Sequence, residues 1–76
     1  MKLTMGEFCQ FSNNTRLELI KEFGENVLTR KLKMKTISVY KVFGFYVEVY
    51  ENLYSRRLEK VEPVKNEELL NVYITI

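Results

Sequence analysis

Residues 36–51 read Thr-Ile-Ser-Val-Tyr-Lys-Val-Phe-Gly-Phe-Tyr-Val-Glu-Val-Tyr-Glu. Apolar and polar side chains alternate on both sides of Gly44, and β-branched and aromatic residues dominate, which is the pattern of two half-buried strands joined at a glycine turn or bulge. On this reading Ile37, Val39 and Phe43 alternate with Thr36, Ser38, Tyr40 and Val42, and Phe45, Val47 and Val49 alternate with Tyr46, Glu48 and Tyr50. One side of the sheet is then oily. The other carries phenols.

Outward from this pair the chain changes character at Gly24. Before it, Leu17, Ile20 and Phe23, with Leu19 beside them, recur at helical spacing, which places a helix over residues 13–23. Ser12, Asn13, Asn14 and Thr15 are all competent N-caps, Thr15-x-x-Glu18 suits a capping box, and Gly24 suits a left-handed C-terminal position. Further upstream, Thr4-x-x-Glu7 with Phe8 and Phe11 predicts a short helical turn that lays both rings on the same core. Residues 27–34 read as a strand or an extended loop. A reversal falls over residues 51–55, followed by a last strand over 57–62 that Pro63 ends. Asn66 caps a closing helical turn, with Glu67 and Glu68 at its positive end, and Leu69 to Ile76 fold back for burial.

The expected architecture is a single α+β domain over residues 1–76. An N-terminal helix packs on a three- or four-stranded antiparallel sheet, and a short C-terminal helix closes the fold. The expected core is Phe8, Leu17, Ile20, Phe23, Leu28, Ile37, Val39, Phe45, Val47, Val49, Val61, Leu70 and Ile74. A chain of 76 residues buries only about 60–65% of its unfolded surface, so its core supplies roughly 3–5 kcal/mol and self-association is a natural supplement.

Composition closes off much chemistry. The chain has no His, Asp, Trp or Ala, one Cys, and ten acidic residues that are all Glu. Histidine general-base catalysis and Ser-His-Asp or Cys-His constellations have no members here, nor do the ligand sets of structural zinc or Asp-led calcium loops. No metal and no cofactor is expected. The lone Cys9, between Phe8 and Phe11, reads as a buried inert thiol, and one thiol without an intramolecular partner suits a reducing compartment, hence the cytoplasm. No run approaches 18 apolar residues, and Met1 to Gln10 lack the apolar core and cleavage site of a signal peptide. A soluble chain with no membrane partner is expected.

The stretch Glu7-Phe8, the helix ending at Gly24, Thr29-Arg30, the segment from Gly44 through Tyr50 and the closing residues 69–76 together resemble a group of short, functionally uncharacterised bacterial proteins. The likeness spans most of the chain. It departs at Tyr50-Glu51, where that group usually has a Trp-Tyr pair, and in its more basic run over 31–35. It implies a small bacterial intracellular α+β protein and transfers no activity.

Two constellations are candidates for function. The first is Tyr46-x-Glu48-x-Tyr50 with Tyr40 and Ser38 across from it, a carboxylate bracketed by phenols on one face. A small-ligand site around Glu48 is one reading, with the carboxyl pKa raised for acid catalysis. A wet sheet face with Glu48 paired to Arg30 or Lys41 is simpler. A face holding Tyr40, Tyr46, Tyr50 and Val42 is too apolar to stay wet, however, and tyrosines are favoured at protein interfaces, so either the C-terminal segment, a second copy or another protein covers it. The second candidate is the basic run Arg30, Lys31, Lys33 and Lys35. In one strand its lysines share a row, with Leu32 and Met34 opposite, as a phosphate stripe or as an edge whose lysines prevent sheet-to-sheet pairing. The edge reading is preferred.

Single-stranded nucleic-acid binding through that run and the sheet aromatics is the alternative. It is disfavoured by Glu48, Glu51, Glu59 and Glu62 on the same strands, and by a net charge of only +2. The expected function is a non-catalytic protein-interaction or accessory module that self-associates as a homodimer or takes a protein partner.

Overall fold

The computed structural model describes residues 2–65. Two helices, α1 (Met5–Cys9) and α2 (Asn13–Phe23), precede four strands, β1 (Glu25–Lys31), β2 (Lys35–Val42), β3 (Phe45–Asn52) and β4 (Leu58–Pro63). The strands form one antiparallel sheet in chain order. The α+β class and the antiparallel sheet are as expected, with four strands. The expected C-terminal helix, and the core positions Leu70 and Ile74, lie outside the described residues.

The helices begin as their sequences direct. In α1 the Thr4 hydroxyl accepts from the Glu7 amide and the Glu7 carboxylate accepts from the Thr4 amide, a complete capping box. In α2 the cap is Ser12, accepting from the Thr15 amide, so the candidate box Thr15-x-x-Glu18 is not used. Gly24 ends α2 in extended backbone, φ −91° and ψ 165°, and not in the left-handed conformation. Glycine is required there for another reason: a Cβ would stand 2.6 Å from the Ile20 carbonyl oxygen.

The turn between β2 and β3 decides the faces. Val42 pairs with Phe45, leaving Phe43 and Gly44 as a two-residue loop, both at positive φ (53° and 87°). That is the hairpin geometry whose twist matches the strands. Residues directly opposite in an antiparallel pair share a face. Val42 therefore joins Phe45 and Val47, and Tyr40 and Ser38 follow on the same side. The expectation that put Val42 and Tyr40 outward with Tyr46 has the parity of β2 inverted. Val42 is 2% exposed.

The helices pack against this side. Phe8, Ile20, Val42, Val47, Val49 and Val61 form the main core, with Leu17, Leu19, Tyr40, Phe43, Phe45 and Leu58 half-buried around it. The rings of Phe8 and Phe45 meet edge-on at 5.5 Å. Two expected anchors stay at the rim: Phe11 is 40% and Phe23 41% exposed, the latter 5.5 Å from the Phe43 ring. Cys9 is exposed, not buried.

Ile37 and Val39 point to the opposite side yet are also buried. Val39 forms a second small cluster with Val64, Leu28 and Tyr46. Val64 lies just past β4, its amide donating to the Tyr46 carbonyl at 2.9 Å. Pro63 does not end the strand before it. It occupies the last strand position, opposite Val47, on an edge strand where a missing donor is tolerated.

The two edges are protected differently. At β4, the Val61 amide donates to Asn13 Oδ1 and the Val61 carbonyl accepts from Arg16, so α2 occupies that edge. At β1 the register shifts between Asn26 and Leu28, a bulge at Val27, and the strand is exposed along most of its length. A bulge and flanking charges discourage further pairing.

Candidate functional site

Register places the first candidate on the side of the sheet away from the helices. Tyr46, Glu48 and Tyr50 alternate along β3, and their partners on β2 are Lys41, Val39 and Ile37. Those on β4 are Val64, Glu62 and Lys60, with Val64 placed by its hydrogen bond to Tyr46. Tyr40 and Ser38, expected among them, lie on the helix side, Tyr40 against the main core. Ser38 instead accepts from the Thr29 hydroxyl at 3.3 Å. The face therefore sets two apolar side chains, Ile37 and Val39, beside a row of phenol, carboxylate and phenol.

Each phenol has a cation beside it. The Lys60 ammonium lies 4.4 Å from the centre of the Tyr50 ring, and the Lys41 ammonium 6.0 Å from that of Tyr46. Such placements hold a ring in orientation and contribute about 0.5–1 kcal/mol at exposed positions. Glu48 and Glu62 stand directly opposite each other. Their mutual repulsion is eased by Lys60, whose Nζ is 3.2 Å from Glu62 Oε2. Burial raises the Tyr50 hydroxyl above its ordinary value, helped by the charge of Glu48, a hydrogen bond to it, and the charge of Glu62. This phenol stays protonated. It serves as a donor to Glu48 and as a contact surface.

The basic run does not form one row. Lys31 ends β1, Lys35 begins β2, and Lys33 and Met34 make the turn between them, closed by reciprocal backbone bonds between Leu32 and Lys35 of 2.8 and 3.3 Å. Arg30 and Lys31 thus lie on an edge strand as expected, while the run beyond them turns at Lys33 and Met34 and re-enters the sheet at Lys35. Among the described residues, no three His, Cys, Asp or Glu side chains gather in a way that would hold a metal ion. No helix of the described residues is long and apolar enough to cross a membrane.

Sequence reasoning named Lys41 as a neighbour of Glu48 but missed Lys60, Glu62, Ile37 and Val39 as members of the tyrosine face. The signal that finds those on β2 is the turn length: with Phe43 and Gly44 as the only loop residues, pairing and parity follow for β2 and β3, whereas Lys60 and Glu62 depend on the separate register of β4. Comparison with protein-family models, with curated proteins and with solved structures returns no match.

Proposed function

We propose that this chain is a non-catalytic protein-interaction module that self-associates, or takes a protein partner, through the face built by Tyr46, Glu48 and Tyr50. One observation carries this reading. The row of two phenols and a carboxylate lies on the side of the sheet that α1 and α2 leave uncovered, half-buried beside Ile37 and Val39, with Lys41 and Lys60 at its ends. Aromatic residues held in fixed orientation among apolar neighbours are the common anchors of protein interfaces, because they bury much area and lose little side-chain entropy. The paired carboxylates at the centre of the face argue against phosphate backbones as its ligand.

Sedimentation velocity over a range of concentrations tests it. Self-association, or a captured partner, should weaken about tenfold or more in Tyr46→Ala and Tyr50→Ala, the loss typical of an interfacial aromatic anchor. A chain that is monomeric at every concentration and captures no partner, or whose association ignores both substitutions, would overturn the proposal.

A further inference from the structure

The basic run gains partners that only the folded chain shows. The Leu53 amide donates to the Met34 carbonyl at 2.9 Å, which brings the β3–β4 loop, residues 53–57, against the β1–β2 turn. Of the twelve cations in the chain, six lie in residues 30–35 and 52–57, against two carboxylates, Glu51 and Glu59, that border those spans. Lys31, Lys33, Arg56 and Arg57 are exposed. Lys35 pairs with Glu59 at 3.5 Å. Net charge of +2 therefore conceals an uneven distribution, with an excess of cations at one end of the sheet.

The same end presents apolar tips. Leu32 is 42%, Met34 54% and Tyr54 77% exposed, the three standing on the two apposed loops among the cations. Tyr54 is not on a slack segment. Asn52 Oδ1 accepts from the amides of Tyr54 and Ser55 at 2.9 and 3.0 Å, and the Asn52 amide and carbonyl bond Arg57 and Arg56. Holding a large exposed phenol and two arginines outward on a loop braced in this way presents them to a partner at little ordering cost.

From this juxtaposition we infer that the paired loops dock the protein onto anionic lipid surfaces, with Leu32, Met34 and Tyr54 entering the headgroup boundary and Lys31, Lys33, Arg56 and Arg57 meeting lipid phosphates and carboxylates. Cations near an anionic leaflet each strengthen attachment, and aliphatic and tyrosyl tips find the polar–apolar boundary favourable. A nucleic acid would use the charge and stack on Tyr54, but it has no use for two exposed aliphatic tips beside it. No spanning segment is required, so the lack of an 18-residue apolar run does not bear on surface docking. This surface lies at an end of the sheet and is distinct from the face of Tyr46 and Tyr50.

The experiment is co-flotation of the full chain with phosphatidylcholine vesicles, with and without phosphatidylserine, at low and physiological salt, alongside binding to oligo(dT) and oligo(U). Expected is retention that requires phosphatidylserine and falls with salt. Lys31→Gln, Lys33→Gln and Arg57→Gln together should lower partitioning about a hundredfold, roughly fivefold per cation. Leu32→Ser with Met34→Ser should weaken it while leaving the salt dependence unchanged, and Tyr46→Ala should leave it intact. Circular dichroism reports that these exposed substitutions leave the fold unaltered. Equal retention on phosphatidylcholine alone, no retention on either vesicle, or charge-dependent binding of the oligonucleotides in preference to vesicles would overturn the inference.

Discussion

The Arg16 guanidinium reaches across 45 positions of sequence to donate to the Val61 carbonyl at 2.7 Å. The same group donates to the Cys9 carbonyl and lies 5.9 Å from the centre of the Phe8 ring. One side chain thus binds the end of α1, the first turns of α2 and the outer strand β4.

Arg16→Leu should cost about 2 kcal/mol, because a charged donor is lost and two carbonyls at a partly buried junction are left without it. For a chain this size, that loss lowers Tm by roughly 10 °C. Arg16→Lys should recover only part of it, since an ammonium lacks the fork that serves both carbonyls. Thermal unfolding by circular dichroism decides the point, and a change under 2 °C for the leucine variant would remove Arg16 from this role.

The three glycines should respond differently to alanine. At Gly24 a Cβ meets the Ile20 carbonyl oxygen at 2.6 Å, so Gly24→Ala should destabilise by about 1–3 kcal/mol. At Gly44 the space is open but φ is +87°, so Gly44→Ala should cost about 1–2 kcal/mol and Gly44→Asn less. Gly6 lies inside α1 with its nearest neighbour at 4.0 Å, and Gly6→Ala should stabilise by roughly 0.5–1 kcal/mol. Denaturant midpoints give the ranking, and a neutral Gly24→Ala would contradict the close approach.

Alkaline titration should single out Tyr50. Its folded value lies above the ordinary 10.0 through burial and the charges of Glu48 and Glu62. A raised acid favours the folded protein while protonated, so this contribution is whole below pH 10 and is lost as pH rises through the folded value. Ultraviolet titration of the five tyrosines should show a late component that Tyr50→Phe removes. If that component survives in Tyr50→Phe, the assignment fails.

The acid limb should carry the opposite sign at Glu7. Backbone and hydroxyl bonds from Thr4 hold its carboxyl below the ordinary 4.5. Its contribution to folding is therefore present above pH 4.5 and disappears as pH falls through the lower folded value. NMR titration of the Glu7 carboxyl and the Thr4 amide should move together. An ordinary Glu7 value, or a Thr4 amide indifferent to it, would disprove the capping box in solution.

Local chemistry was legible in the sequence, and parity was not. Thr4, Glu7 and Ser12 announce helix starts because their side chains bond only the next few amides. The limits of α2 at Asn13 and Phe23 follow from the apolar spacing and Gly24. The sheet is different, because alternation in β2 is apolar on both faces: Ile37 and Val39 on one side, Tyr40 and Val42 on the other. Such a strand reads equally well in either orientation, and only the pairing of Val42 with Phe45 separates them. The meeting of Met34 with Leu53 was likewise hidden, since it depends on the register of β2 and β3 together. Phe11 and Phe23 look like core residues on spacing alone, yet the helices cover too little of the sheet to bury them.

Strand order in this sheet follows chain order, and that shapes how the protein forms and how long it lasts. Two-residue turns between β1 and β2 and between β2 and β3, and a short loop before β4, allow the hairpins to zip from β1 onward, which suits rapid folding. The bonds from Asn13 and Arg16 to Val61 join the two ends of the described chain, so they close only once β4 is laid down. Weakening that late clasp should leave the folding limb of a chevron nearly unchanged and steepen the loss through unfolding. The lifetime of the native state, more than its speed of formation, is then governed by the second helix, made early, and the last described strand, which must arrive to meet it.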